Sequence, residues 1–149
     1  MTEPVRVENV YGAWELVSYE VRGSDGELLD HPLGVEPVGI IQYTADGYMS
    51  AQLMRRDRPP YEHPDPGGGT PSQTIAAARS YLAYAGPFHL DEATATFHHD
   101  VVVSLLPNWI GHPQIRDGRI EMGRLILSAD TTHDGTPACA TLTWRRPLR

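Results

Sequence analysis

Between Thr94 and Leu105 the chain alternates with period two. One phase carries Ala95, Phe97, His99, Val101, Val103 and Leu105; the other carries Thr94, Thr96, His98, Asp100, Val102 and Ser104. This is the pattern of a half-buried strand with one apolar face. Tyr84 to Leu90 alternates as well, and Asp91-Glu92-Ala93 between the two segments reads as a tight connection. With the turn centred on Glu92-Ala93, Asp91 faces Thr94, and Tyr84, Gly86, Phe88 and Leu90 share a side with Phe97, His99 and Val101. His99 then lies opposite Gly86, with Tyr84 as its diagonal neighbour roughly 7–8 Å away. Glu92-Ala93 is not a pair that two-residue hairpins favour, so a longer loop or a bulge would change this register, and a slip of one residue would exchange the faces.

The same periodicity organises the rest of the chain. Residues 1–10 read as a lead-in, and the first ordered element begins at Gly12-Ala13-Trp14, where Trp14, Leu16 and Ser18 alternate with Glu15, Val17 and Tyr19. Gly23-Ser24-Asp25-Gly26 signals a turn, and Glu27 to Leu29 starts a return strand. Val38 to Thr44 and Tyr48 to Arg55, joined by Ala45-Asp46-Gly47, form a hairpin. Residues 56–69, RDRPPYEHPDPGGG, supply proline and glycine in place of a regular element and predict a mobile loop. A helix is expected over residues 70–82, with Thr70 at the N-cap, Pro71 at N1, Gln73 completing a capping box, and Ile75, Ala78 and Leu82 on one face. Short strands at Gln114 to Asp117, Arg119 to Met122, Leu125 to Ala129 and Cys139 to Arg145 read as a meander. One helix and about eight to ten strands in a single domain predict an all-β, closed antiparallel barrel, because closure removes exposed edges.

Composition narrows what such a barrel does. The 149 residues suffice for one domain with a real core. A net charge of −7 and a pI near 5.4 argue against nucleic acid or an anionic membrane as partner. The N-terminal sequence lacks an apolar signal region, which predicts a cytoplasmic location. Cys139 is the single cysteine, so no internal disulfide framework exists. All twelve basic residues are arginine, which removes lysine Schiff-base chemistry and lysine-dependent phosphate binding.

Seven histidines raise the question of a metal. His98 and His99 are adjacent on a strand and point to opposite faces, His31, His63, His112 and His133 fall in loops, and no His-x-His or His-Glu-x-x-His spacing occurs, so no metal site is expected. Ser50, Ser104 and Ser128 lack the strand-elbow-helix context of a nucleophile, and Gly67-Gly68-Gly69 does not follow a strand as a phosphate loop would. What remains is acid–base or binding work inside the barrel. His99 is a candidate proton-exchanging group and Tyr84 a candidate for orienting a carbonyl or hydroxyl. Tyr43, Gln52, Phe88, Phe97, Val101 and Trp109 are candidates for the ligand wall, with the face presented by the Tyr48 to Arg55 strand left open. The competing reading makes His99 a core histidine satisfied by its neighbours.

Several blocks together resemble the bacterial and fungal lipocalin-like domain family. They are Gly-x-Trp followed by Glu-Leu-Val-Ser-Tyr at Gly12 to Tyr19, TADGYMSAQLMR at Thr44 to Arg55, YLAYAGPF at Tyr81 to Phe88, SLLPNWIG at Ser104 to Gly111, and Leu142-Thr143-Trp144-Arg145-Arg146. The resemblance implies an up-and-down barrel around a cavity for a small organic molecule. It further implies that Trp14 packs at a closed end beneath Arg145 or Arg146 in a cation–π contact. Three functions then compete. A cofactor-independent isomerase, cyclase or dehydratase of secondary metabolism, with His99 and Tyr84 catalytic, is the leading expectation; a carrier or sensor of a small hydrophobic or aromatic ligand is the alternative, and a protein-interaction module the third. No cofactor is expected, and a homodimer is left open.

Overall fold

The period-two segments pair antiparallel throughout, and the last of them meets the first. The computed structural model describes residues 2–148. Its strands are β1 (Thr2–Glu3), β2 (Gly12–Gly23), β3 (Leu28–Asp30), β4 (Val38–Tyr43), β5 (Tyr48–Met54), β6 (Tyr81–Asp91), β7 (Thr96–His99), β8 (Val103–Ser104), β9 (Gln114–Glu121), β10 (Arg124–His133) and β11 (Thr136–Arg145), with one α-helix, α1 (Pro71–Arg79). Eight of the strands run β2-β4-β5-β6-β7-β9-β10-β11, and β11 pairs back to β2. Each neighbour in the ring is also the next long strand in the chain, so this is a closed up-and-down barrel. The short strands β1, β3 and β8 add to β9, β2 and β6. Closure leaves no long unpaired strand in the ring, which accounts for a stable sheet without covering helices.

The lead-in does more than precede the barrel. Thr2 and Glu3 pair with Glu121 and Ile120 of β9, a 3₁₀ turn follows at Val7–Asn9, and Val5 and Val10 are buried in the core. The Val10 carbonyl accepts a hydrogen bond from Trp14 Nε1 at 2.9 Å. Above the Trp14 ring, 3.8 Å from its centroid, lies the guanidinium of Arg146, which also donates to the carbonyls of Ala13 and Asn9. Arg145, one residue earlier, points outward and pairs with Glu15 at 2.7 Å. Strand alternation assigns the cation–π role to Arg146 alone.

The hairpin between β6 and β7 differs in register from its sequence expectation. Asp91 pairs with Thr96 and Phe88 with His99, so residues 92–95 form the loop, with Ala95 at φ 56°. The shift is two residues, an even number, so Phe97 and His99 keep the inward face. The expected continuous strand to Leu105 also breaks. Beyond His99, β8 resumes pairing one residue out of phase, with Tyr84 opposite Ser104 and Ala85 opposite Val103. The extra residue forms a bulge over Asp100 to Val102, pinned by Asp100 N–H to Pro87 O and Val102 N–H to Ala85 O at 2.8 and 2.9 Å. Val103 and Leu105, inward by simple alternation, are therefore exposed. Gly86 packs directly against this bulge, and a side chain there would collide with the Asp100 carbonyl.

Thr70 and Gln73 make the expected capping box, with Thr70 N–H donating to Gln73 Oε1 at 3.0 Å. The helix stops at Arg79, however, and Tyr81 and Leu82 belong to β6, paired with Met54 and Leu53. Strand pairing resumes as soon as Arg55 N–H reaches the Ser80 carbonyl at 3.0 Å, and the β-favouring Tyr81 follows. No residue of α1 is buried, and Ile75 is half exposed. The helix is a surface element of the β5–β6 connection, whose residues 56–69 are irregular.

Candidate functional site

Inward-facing residues fill one end of the barrel and leave space toward the other. Val10, Trp14, Tyr43, Phe88, Phe97 and Leu125 belong to a continuous buried cluster. Farther along the strands a cavity of about 280 Å³ opens, lined from β5 and β6 by Ala51, Leu53, Leu82 and Tyr84 and from β9 by Gln114 and Arg116. Leu127, Leu142 and Trp144 face it from β10 and β11, and Trp109 reaches it from the 3₁₀ turn Pro107–Trp109.

Tyr19 also lines this space, against the simple alternation of its strand. Trp144 pairs with Leu16 while Thr143 pairs with Ser18, so Val17 is an extra residue in β2. That bulge reverses the phase after Leu16 and turns Tyr19 inward beside Leu142.

His99 sits behind the cavity wall between two phenols. Its Nε2 is 2.8 Å from the Tyr43 hydroxyl and its Nδ1 is 3.0 Å from the Tyr84 hydroxyl. His99 is fully enclosed and is the one polar residue in the buried class among the described residues. Burial first, then the Arg116 cation and His98, lower its pKa from 6.5 to about 3, so the ring is neutral. Burial likewise pushes the Tyr43 phenol well above its usual range, reinforced by Tyr84. The Tyr84 phenol is also raised by burial, with Arg116 acting against the shift. All three groups are therefore neutral at physiological pH, and the contact is a hydrogen-bond relay.

Arg116 was not marked by the sequence pattern, because β9 has Ile115 on one phase and Ile120 on the other and so gives no clear apolar face. The register settles it: Arg116 lies opposite Phe97, on the inward phase, and Gly118 makes room for the Phe97 ring. The guanidinium donates to Ile115 O at 3.0 Å and to Gln114 Oε1 at 3.4 Å, and lies 5.9 Å from the Trp109 ring centroid. Trp109 in turn meets Tyr84 edge to face at 5.2 Å. Trp144 presents a different feature: its indole Nε1 is buried with no hydrogen-bond partner among the described residues.

Of the residues singled out by sequence, Tyr84 and Trp109 line the cavity. His99 and Tyr43 stand behind Tyr84 in the relay, and Phe88, Phe97 and Val101 are buried core residues, Phe88 edge to face with Tyr43 at 4.8 Å. Gln52 is on the outer face, accepting from the Tyr81 hydroxyl at 2.6 Å, since Met49, Ala51 and Leu53 take the inward phase of β5. His98 also faces outward, stacked on His89 at 4.5 Å. Among the described residues no group of three or more His, Cys, Asp or Glu is placed to hold a metal.

A larger groove of about 900 Å³ lies outside the barrel between Arg55–Tyr61 and α1. Three arginines line it, Arg55, Arg58 and Arg79, of which Arg58 is committed to Ser80 Oγ, Ala77 O and the Tyr81 ring. The interior cavity, enclosed by the barrel and lined by aliphatic and aromatic side chains together with converging polar groups, is the better candidate ligand site.

The comparisons with known proteins agree with this architecture. A lipocalin-like domain model matches residues 11–147. The chain is 36% identical over 108 residues to the 4'-hydroxy-3'-methoxypropiophenone carrier protein ppsC of Aspergillus oryzae, an alignment that spans 66% of this chain and 96% of the relative. No solved structure matches the chain. With eight strands closed in meander order, Trp14 under Arg146 and a model match over nearly its whole length, the chain belongs to the lipocalin-like domain family.

Proposed function

We propose that the protein binds and carries a small, single-ring aromatic molecule in its barrel without transforming it. The observation that carries this reading is the interior cavity of about 280 Å³, walled by Leu53, Leu82, Leu142 and the faces of Tyr84 and Trp109, with the histidine outside the wall. That volume lies just under the roughly 300 Å³ at which pockets for drug-sized ligands begin, and suits one substituted ring. The relative's name supplies the ligand class, an aromatic ketone with phenolic and ether oxygens.

The isomerase, cyclase or dehydratase reading has less support. Acid–base catalysis requires a group within reach of the substrate and a pKa near the working pH. His99 has both ring nitrogens engaged by tyrosines and a pKa of about 3, and Tyr84 stands between it and the cavity. On the carrier reading Tyr84 and Trp109 touch the ligand, while His99 and Tyr43 hold the Tyr84 hydroxyl in place.

Incubation with 4'-hydroxy-3'-methoxypropiophenone, followed by native mass spectrometry and analysis of the extracted ligand, tests the proposal. The expected result is one molecule held per chain and recovered unchanged. Product accumulating beyond one equivalent of protein would overturn the carrier reading in favour of an enzyme.

A further inference from the structure

Tyr84, Trp144 and Arg116 all line the cavity, and each has hydrogen-bonding capacity that the described residues leave unused or underused. A neutral imidazole donates through one nitrogen and accepts through the other. The Tyr43 ring packs against Phe88 and Phe97, and its hydroxyl has His99 Nε2 as its hydrogen-bond partner among the described residues. If Nε2 carried the proton, the buried Tyr43 O–H would be left without an acceptor, which is unfavourable. Tyr43 therefore donates to Nε2, and His99 Nδ1–H donates to the Tyr84 oxygen. The Tyr84 proton is then free to be donated into the cavity.

Trp144 adds a second donor, its buried and unpartnered indole N–H. The third is Arg116, which has no carboxylate partner among the described residues and is held by neutral acceptors, the Ile115 carbonyl and the Gln114 side chain. Acceptors are scarce by comparison. The Gln114 oxygen is turned to Arg116, and Asp130, the one carboxylate bordering the cavity among the described residues, is exposed and shares the strand phase opposite to that of Leu127 and Ala129. The hydroxyls of Tyr19 and Thr131 serve either way.

We infer that this is a donor-lined site that holds its aromatic ligand as an oxyanion, with the negative oxygen beside Arg116 and hydrogen-bonded by Tyr84 O–H and Trp144 N–H. The inference rests on the carrier reading and specifies the ionisation state of the cargo. A cation with no paired anion inside a partly enclosed wall favours a bound anion, and burial strengthens that attraction relative to water.

A phenolic aromatic ketone serves as the probe, because its phenolate absorbs at longer wavelength than its phenol. At a pH where the free probe is neutral, the protein-bound probe is expected to show the phenolate band. Arg116→Gln should still bind but lose that band, and Trp144→Phe should weaken binding about fivefold to tenfold. The O-methyl ether of the probe, which cannot ionise, should bind at least about tenfold more weakly than the phenol. Binding with a neutral spectrum, or equal affinity for the ether, would overturn the inference and leave the carrier reading standing. Absence of binding by either probe would overturn both.

Discussion

Gly86→Ala is expected to lower the unfolding free energy by about 3 kcal/mol, the upper end of the usual overpacking range. The added methyl would meet the Asp100 carbonyl, with the Val102 nitrogen also close at 3.1 Å, and these are backbone atoms that cannot rotate away. They are fixed by hydrogen bonds to Pro87 and Ala85 on either side of the glycine, so relief requires opening the bulge. The bulge also positions the site, because His99 precedes it and Val101 O accepts from Gly111 N–H just beyond Trp109. Urea denaturation should show a lower midpoint with an unchanged slope. Gly67→Ala, where an added methyl meets nothing within 4 Å, should change stability by less than about 0.5 kcal/mol. A Gly86→Ala protein as stable as the parent would show that the bulge yields freely.

His99 is expected to give the fold a steep acid sensitivity. In the folded chain it stays neutral until about pH 3, whereas in the unfolded chain it protonates near 6.5. Between those values the unfolded state binds more protons, so stability rises with pH through the window and falls on acidification. The contribution is fully present above about pH 6.5 and is lost by up to about 1.4 kcal/mol for each pH unit below it. Carboxylates titrate in part of the same range, so the comparison must be with His99→Gln, which keeps a donor and an acceptor between Tyr43 and Tyr84 but does not ionise. The difference in unfolding free energy between the two proteins, measured from pH 7 to pH 4, should shrink and then reverse in the variant's favour as pH falls. A constant difference would mean that His99 is protonated in the folded state or reached by solvent.

The barrel could be read from alternation, turn residues and the blocks at Gly12, Thr44, Tyr81 and Ser104, because burial of one strand face writes period two directly into the chain. Bulges do not write themselves in that way. The extra residue at Val17 turned Tyr19 inward, and the one following His99 turned Val103 and Leu105 outward; each changes the phase without changing the residue types. His99 and Tyr84 were legible as neighbours because the hairpin slipped by an even number of residues, although the partner expected for His99, Gly86, is packed against the bulge. Arg116 and Trp144 were not legible as cavity residues. An arginine on a strand with apolar residues on both phases reads as solvated, and a tryptophan within a Thr-Trp-Arg-Arg terminus reads as core. Gln52 failed for the reverse reason: its strand has serine and glutamine on one phase and small or aliphatic residues on the other, and the cavity uses the latter.

On the carrier reading the ligand occupies the space between Tyr84, Trp109, Arg116 and Trp144, and a side chain that fills this space should displace it. Ala51 is buried and lines the cavity, paired across the sheet with Ile41 and Tyr84. Isothermal titration of a phenolic aromatic ketone into the parent protein and into Ala51→Phe, both verified as folded by circular dichroism, isolates the cavity from the outer groove. One site is predicted in the parent, with affinity reduced at least about tenfold, or about 1.4 kcal/mol, in Ala51→Phe. Undiminished binding by the filled barrel would place the ligand outside the interior cavity.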